Sequence, residues 1–112
     1  MNISFKRHTN ASENNRVEYL LPGYDYYDGN DLLSSLFQKE FGMIADNKVD
    51  GLYYTLIKLH LEGAEYNLIW HEDIGNYLYS TQQDGEALEL LEKRLGTILE
   101  KVNNLLEDKK IQ

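Results

Sequence analysis

The sequence predicts an α+β fold, an antiparallel β-sheet with a long C-terminal helix packed on one face. Three observations predict it. Residues 52–82 fall into three runs rich in β-branched and aromatic side chains, divided by turns containing Gly, Asn and Asp, which is the pattern of a three-stranded meander. From about Glu86 to Asp108 an apolar stripe recurs at three- and four-residue steps. One or two alternating runs near the start supply N-terminal strands, and a short helix is expected at about 31–41.

In chain order, residues 2–8 alternate, with Ile3 and Phe5 on one side and Asn2, Ser4 and Lys6 on the other. Residues 9–15 are polar and aperiodic, a loop. Its Asn10-Ala-Ser12 triplet carries no weight as a glycosylation site without a secretory signal. Residues 16–21 alternate again, placing Val17, Tyr19 and Leu21 on one face. Leu33, Leu36, Phe37 and Phe41 then mark one stripe of the short helix, and Gly42 stands where a helix ends in the left-handed conformation. One of Asp28 or Asn30 is expected to cap that helix near Leu32, with Asp31 at the positive end of its dipole. Residues 46–51 are turn chemistry.

In the meander, the turns are expected at Gly63-Ala64 and at residues 73–76. This register sets Leu56 opposite His71 and His60 opposite Asn67. Alternation then gives a core face of Tyr53, Ile57, Leu59, Leu61, Tyr66, Leu68, Trp70, Tyr77 and Tyr79, and a mixed face that includes Tyr54, Leu56, Ile69, His71, Leu78 and Ser80. The C-terminal helix has Asp84 as N-cap, Glu86 near its positive end, and Lys109 and Lys110 at the other. Its cheapest burial is across the core face of the sheet. The short helix lies either beside it or on the mixed face.

At 112 residues the chain forms a single domain, 1–112, long enough to bury a core without a staple. It has no cysteine, so disulfides and thiolate metal sites are excluded. The N-terminal stretch has no apolar run resembling a signal peptide, and nothing approaches the roughly 18 apolar residues of a membrane span, so the expected location is cytoplasmic. A net charge of −8 argues against nucleic acid and anionic membranes as partners and favours a basic protein.

No catalytic or cofactor motif is present, and neither an enzyme nor a cofactor is expected. His60 and His71 fall about four rungs apart in the expected register, too far for one metal ion. Asp25-Tyr-Tyr-Asp-Gly-Asn-Asp31 lacks the alternate acids and twelfth-position Glu of a calcium loop. The charge distribution is more informative. The helix 86–110 holds six acids and five bases, whereas residues 62–84 hold five acids and no base. The turns group Asp46, Asp50, Glu72 and Asp73 at one sheet end beside aromatic residues. Three tyrosines crowd Tyr24-Asp-Tyr-Tyr27, more than capping requires. Acids flanked by tyrosines suit a surface that recognises Lys and Arg. Tyr24, Asp25, Tyr26, Tyr27, Asp28, Glu72 and Asp73 are therefore the candidate partner-binding residues.

In size, acidity, lack of cysteine and α+β layout, and in the style of Tyr24-Asp-Tyr-Tyr-Asp28 and Trp70-His-Glu-Asp73, the chain resembles small bacterial immunity proteins. These neutralise toxins of contact-dependent or polymorphic systems. The resemblance implies a cognate basic toxin domain, often a nuclease, held by electrostatic steering and aromatic anchors. A second reading is a structural homo-oligomer, such as a homodimer, closing over Tyr54, Leu56, Ile69 and Leu78. A third is a small enzyme using His60 or His71.

Overall fold

The computed structural model describes residues 3–22, 24 and 27–111, with side chains for 3–22, 24 and 28–107. The elements are β1 (Lys6–Asn10), a 3-10 turn (Ala11–Glu13), β2 (Arg16–Leu20), α1 (Tyr27–Phe41), β3 (Ile44–Ala45), β4 (Val49–Asp50), β5 (Tyr54–Leu61), β6 (Ala64–His71), β7 (Gly75–Ser80) and α2 (Gly85–Ile111). The strands form one seven-stranded antiparallel sheet in the order β1-β2-β7-β6-β5-β3, with β4 also on the outer edge of β5. Both helices lie on one face: α1 against β5, β6 and β7, and α2 beside it against β7. The core between the layers is built from Tyr19, Ile57, Leu59, Tyr66, Leu68 and Leu78 of the sheet, with Leu33, Phe37, Leu91, Leu95 and Ile98 of the helices. No helix among the described residues covers the opposite sheet face.

The α+β sandwich is the one expected from sequence, with corrections at its joints. The β5–β6 turn is Glu62-Gly63, with φ of 45° and 85°, so Leu61 pairs with Ala64. That is the two-residue turn whose twist matches the strands. The register therefore shifts by two: Tyr54 stands opposite His71 and Lys58 opposite Asn67. The expected pairings of Leu56 with His71 and of His60 with Asn67 are both wrong.

In the next hairpin Glu72, Asp73 and Ile74 form a three-residue loop. Gly75 (φ 88°) pairs with His71, and Ile74 N–H donates to the His71 carbonyl at 3.2 Å. The loop sets β7 one residue out of the expected phase, and a one-residue slip exchanges the two faces of a strand. Asn76, Leu78 and Ser80 consequently face the core, while Tyr77 and Tyr79 face the bare side, reversing the expected assignment.

Helix α1 begins at Tyr27, a turn before the expected start near Leu32, so neither Asp28 nor Asn30 caps it at Leu32. Asn30 instead points inward, 1% exposed, and its Nδ2 reaches the Leu68 carbonyl at 3.5 Å. The C-terminal stop is as expected: Gly42 has φ 69° and its N–H closes on the Gln38 carbonyl at 2.9 Å. Asp84 caps α2, its Oδ1 accepting from Ala87 N–H at 2.9 Å. The side chains of Lys109 and Lys110 lie outside the described ones.

The N-terminal strand is shorter at its start and longer at its end than expected. Ile3 N–H and C=O are taken by Asn103 of α2 at 2.7 and 2.9 Å, holding this segment against the helix instead of in the sheet. Thr9 and Asn10 continue β1 opposite Val17 and Arg16, where a loop was expected. Two short edge strands are added, 44–45 just before the expected turn sequence and 49–50 inside it.

Candidate functional site

Of the candidate residues, the structure fixes Tyr24 beside the hairpin that carries Glu72 and Asp73, at one end of the sheet. Asn76 sits at the start of β7, just beyond the Glu72–Ile74 loop. Its Nδ2 donates to the Tyr24 carbonyl at 3.0 Å, and its own carbonyl accepts from Leu21 N–H at 3.1 Å. The chain entering α1 is thus fixed against the hairpin carrying Glu72 and Asp73.

Tyr24 itself is a core residue, 5% exposed. Burial, and then the charge of Asp28, push its phenol pKa up. It is a support for the site and not a docking anchor. Asp28 is exposed in the first turn of α1. Asp25 and Tyr26, and the side chain of Tyr27, lie outside the described residues.

Glu72 and Asp73 are exposed, and among the described residues neither makes an ion pair. Asp73 N–H donates to Nδ1 of His71 at 3.1 Å, so that imidazole shapes the loop. Glu72 N–H donates to the Tyr53 carbonyl at 2.9 Å, placing the hairpin against residues 51–54. Around that end four apolar side chains stand in solvent: Leu52 at 84% exposure, Tyr53 at 58%, Ile74 at 54% and Tyr54 at 42%.

Gly51 makes this cluster possible. A Cβ there would lie 2.1 Å from the Tyr54 ring, so the ring rests on bare backbone, and Gly51 N–H bonds the Tyr54 carbonyl at 2.8 Å. Asp50 completes the rim, its Oδ1 accepting from Thr55 Oγ1 at 2.9 Å. Leu52, Tyr53, Tyr54 and Ile74 are missing from the sequence-derived site, because the expected strand began at Leu52 with Tyr53 on the core face and Tyr54 on the mixed face, and Ile74 lay in an expected turn; Tyr53 is in fact exposed. The signal in sequence was Asp50-Gly51, a turn that ends strand pairing just before them.

Asp46 does not join this end. It lies beside His60, with Oδ2 2.9 Å from Nε2, while Glu65 Oε2 is 3.7 Å from Nδ1. His60 and His71 pair with Glu65 and Tyr54, towards opposite ends of β5. Among the described residues no group of three or more His, Cys, Asp or Glu side chains is placed to hold a metal ion.

The bare sheet face offers a contrasting surface. Arg16 lies 3.7 Å above the Tyr79 ring and donates from Nε and Nη2 to Glu18 Oε2 at 2.9 and 2.7 Å. Glu18 is 4% exposed, so its charge is matched locally. No described helix is long and apolar enough to cross a membrane. No protein-family model, curated protein or solved structure matches the chain.

Proposed function

We propose that this protein is a non-catalytic binding module that docks a basic protein on the sheet end formed by residues 50–54 and 72–74, and that it acts as an immunity protein against a basic toxin domain, such as a nuclease. One observation carries the reading: Leu52, Tyr53, Tyr54 and Ile74 are all exposed at the sheet end that carries Glu72 and Asp73, whose carboxylates make no ion pair among the described residues. Aromatic and aliphatic side chains held out of the core supply anchoring area. Unpaired carboxylates at the rim steer and then pair Lys or Arg. The net charge of −8 adds a long-range attraction for the same partner.

The test looks for a large reading frame directly upstream of the gene, and an isolated locus counts against immunity. The product of such a frame is expressed with and without this chain, and growth is followed. Rescue by the wild type, lost when Glu72→Lys and Asp73→Lys are combined, supports the reading. A product that is harmless, or one that this chain fails to neutralise, rejects immunity. Rescue with an unchanged association rate at low salt in the reversed variant rejects this surface.

A second reading rests on the bare sheet face, where Leu20, Leu56, Ile69, Tyr77 and Tyr79 form a half-buried row that a second copy would cover. Light scattering at high concentration decides it, since a monomer removes the homodimer.

A further inference from the structure

A cleft of about 510 Å³ opens between the first turns of α1 and the later turns of α2. The helices run antiparallel: Phe41 ends α1 near Arg94, while Leu32 faces Val102 and Leu105 across the cleft. Its walls are Tyr24, Leu32, Val102, Leu105 and Leu106, and among the described residues its one charged lining group is Asp28. Leu105 departs from the buried stripe of α2 and is 43% exposed, so the apolar wall continues to the surface. Asp28 makes no ion pair among the described residues. Tyr24 links this cleft to the docking end, because its carbonyl is the group held by Asn76 at 3.0 Å.

We infer that this cleft receives a Lys or Arg side chain of the basic partner, its methylene stem against Leu32, Leu105 and Leu106 and its cation on the Asp28 carboxylate. The inference rests on the docking of a basic protein proposed above and names a second point of contact for it. The volume lies within the roughly 300–1,000 Å³ of small-ligand pockets, enough for such a side chain and its neighbours. A wholly apolar occupant would strip water from Asp28 and give it nothing in return. An anionic one would meet Asp28 and a protein of charge −8. Long cationic side chains lay their stems on apolar surface and keep the charged head at the rim, which is the arrangement of this cleft.

The experiment uses n-hexylguanidinium as the probe, titrated into the 15N-labelled full chain, with n-hexanol and hexanoate as controls. Amide shifts are expected at Gly29, Leu32, Leu105 and Leu106, with affinity falling from the guanidinium to the alcohol to the carboxylate. Asp28→Asn is expected to weaken the guanidinium roughly two- to fivefold, the range of an exposed ion pair, and to narrow its advantage over hexanoate. Leu105→Ser is expected to weaken the guanidinium and the alcohol together. Both side chains are exposed, and an unchanged thermal midpoint confirms that the variants fold. Absence of shifts at these amides, hexanoate binding as well as the guanidinium, or indifference to Asp28→Asn would each overturn the inference. No partner protein enters this measurement, so its failure is distinct from failure of the growth-rescue test.

Discussion

Asn76 Nδ2 donates to the Tyr24 carbonyl at 3.0 Å, joining residues 52 apart in sequence through a side chain that is 1% exposed. Gly29 shelters the bond, since a Cβ at that position would approach Tyr24 Cε1 to 2.5 Å and Asn76 Nδ2 to 2.9 Å. The same asparagine therefore aligns the hairpin that presents Glu72 and Asp73 with the wall of the interhelical cleft. Asn76→Ala should remove the bond from its side chain to the Tyr24 carbonyl and lower stability by about 1–3 kcal/mol. Urea denaturation measures it, and a loss under half a kilocalorie would show that the bond does not pin the loop.

Gly51 controls the exposed cluster from beneath. Gly51→Ala must displace the Tyr54 ring, whose Cε1 lies 2.1 Å from the added Cβ position, while Tyr54 is already 42% exposed. The substitution should therefore change the surface more than the stability, with a cost of about 1 kcal/mol or less. Nuclear Overhauser contacts of the Tyr54 ring report its position. A ring that keeps its contacts with residue 51 would contradict this account.

The β5–β6 turn places Glu62 at φ 45°, a conformation that costs a side chain with Cβ. Asn tolerates it and is the favoured partner of a following Gly in this turn. Glu62→Asn should raise stability by about 0.5–1 kcal/mol, read from the denaturation midpoint. An equal or lower midpoint would argue that the Glu62 backbone is relaxed where it stands.

That turn also shows where the sequence stops being legible. The long helix, the meander, the Asp84 cap and the Gly42 stop follow from periodicity and local turn chemistry, and each is present. Register is a different matter. A turn at Gly63-Ala64 and one at Glu62-Gly63 satisfy the same composition, and only pairing energy chooses between them. The face of β7 was misjudged because a three-residue loop at 72–74 replaces a four-residue one, and the parity of the loop decides which side chains face inward. Asn76 and Ser80 sit at core-facing positions that polarity alone would place outside. Likewise, Asp28 and Asn30 read as caps from residue type, whereas α1 starts before both and Asn30 bonds across the core. Of the candidate site, the acids at 72–73 were visible as a local excess of charge. The apolar cluster beside them depends on where pairing of β5 ends, which is a tertiary outcome.

On the bare sheet face, Arg16 donates twice to Glu18, whose side chain is 5% exposed against 24% for the arginine. Removing the cation leaves a buried carboxylate without its partner, whereas removing both charges leaves apolar surface on neighbouring strand positions. Arg16→Leu should cost about 2–4 kcal/mol, discounted from a fully buried pair because the guanidinium is partly solvated. Arg16→Leu combined with Glu18→Leu should recover at least half of that loss. Additive losses in the double-mutant cycle would show that the two side chains do not act as a pair.

Tyr19 provides the test of pH dependence. Its ring is buried and its hydroxyl donates to Glu92 Oε2 at 2.9 Å, a carboxylate that Arg7 also reaches at 3.1 Å. Burial, followed by the hydrogen bond and negative charge of Glu92, pushes the phenol pKa well above its ordinary value, against a smaller opposing effect of Arg7. Tyr24 and Tyr77 shift in the same direction, chiefly through burial. The folded protein therefore holds these protons after the unfolded chain has begun to release them. Their contribution is complete below the unfolded value of about 10 and declines as pH rises beyond it, because the unfolded state then binds fewer protons than the folded one. Unfolding free energies measured from pH 8 to 12 should fall steeply above about pH 10. Tyr19→Phe should cost about 1 kcal/mol at neutral pH through the lost hydrogen bond, yet flatten the alkaline decline. A variant that declines as steeply as the wild type would place the alkaline sensitivity elsewhere.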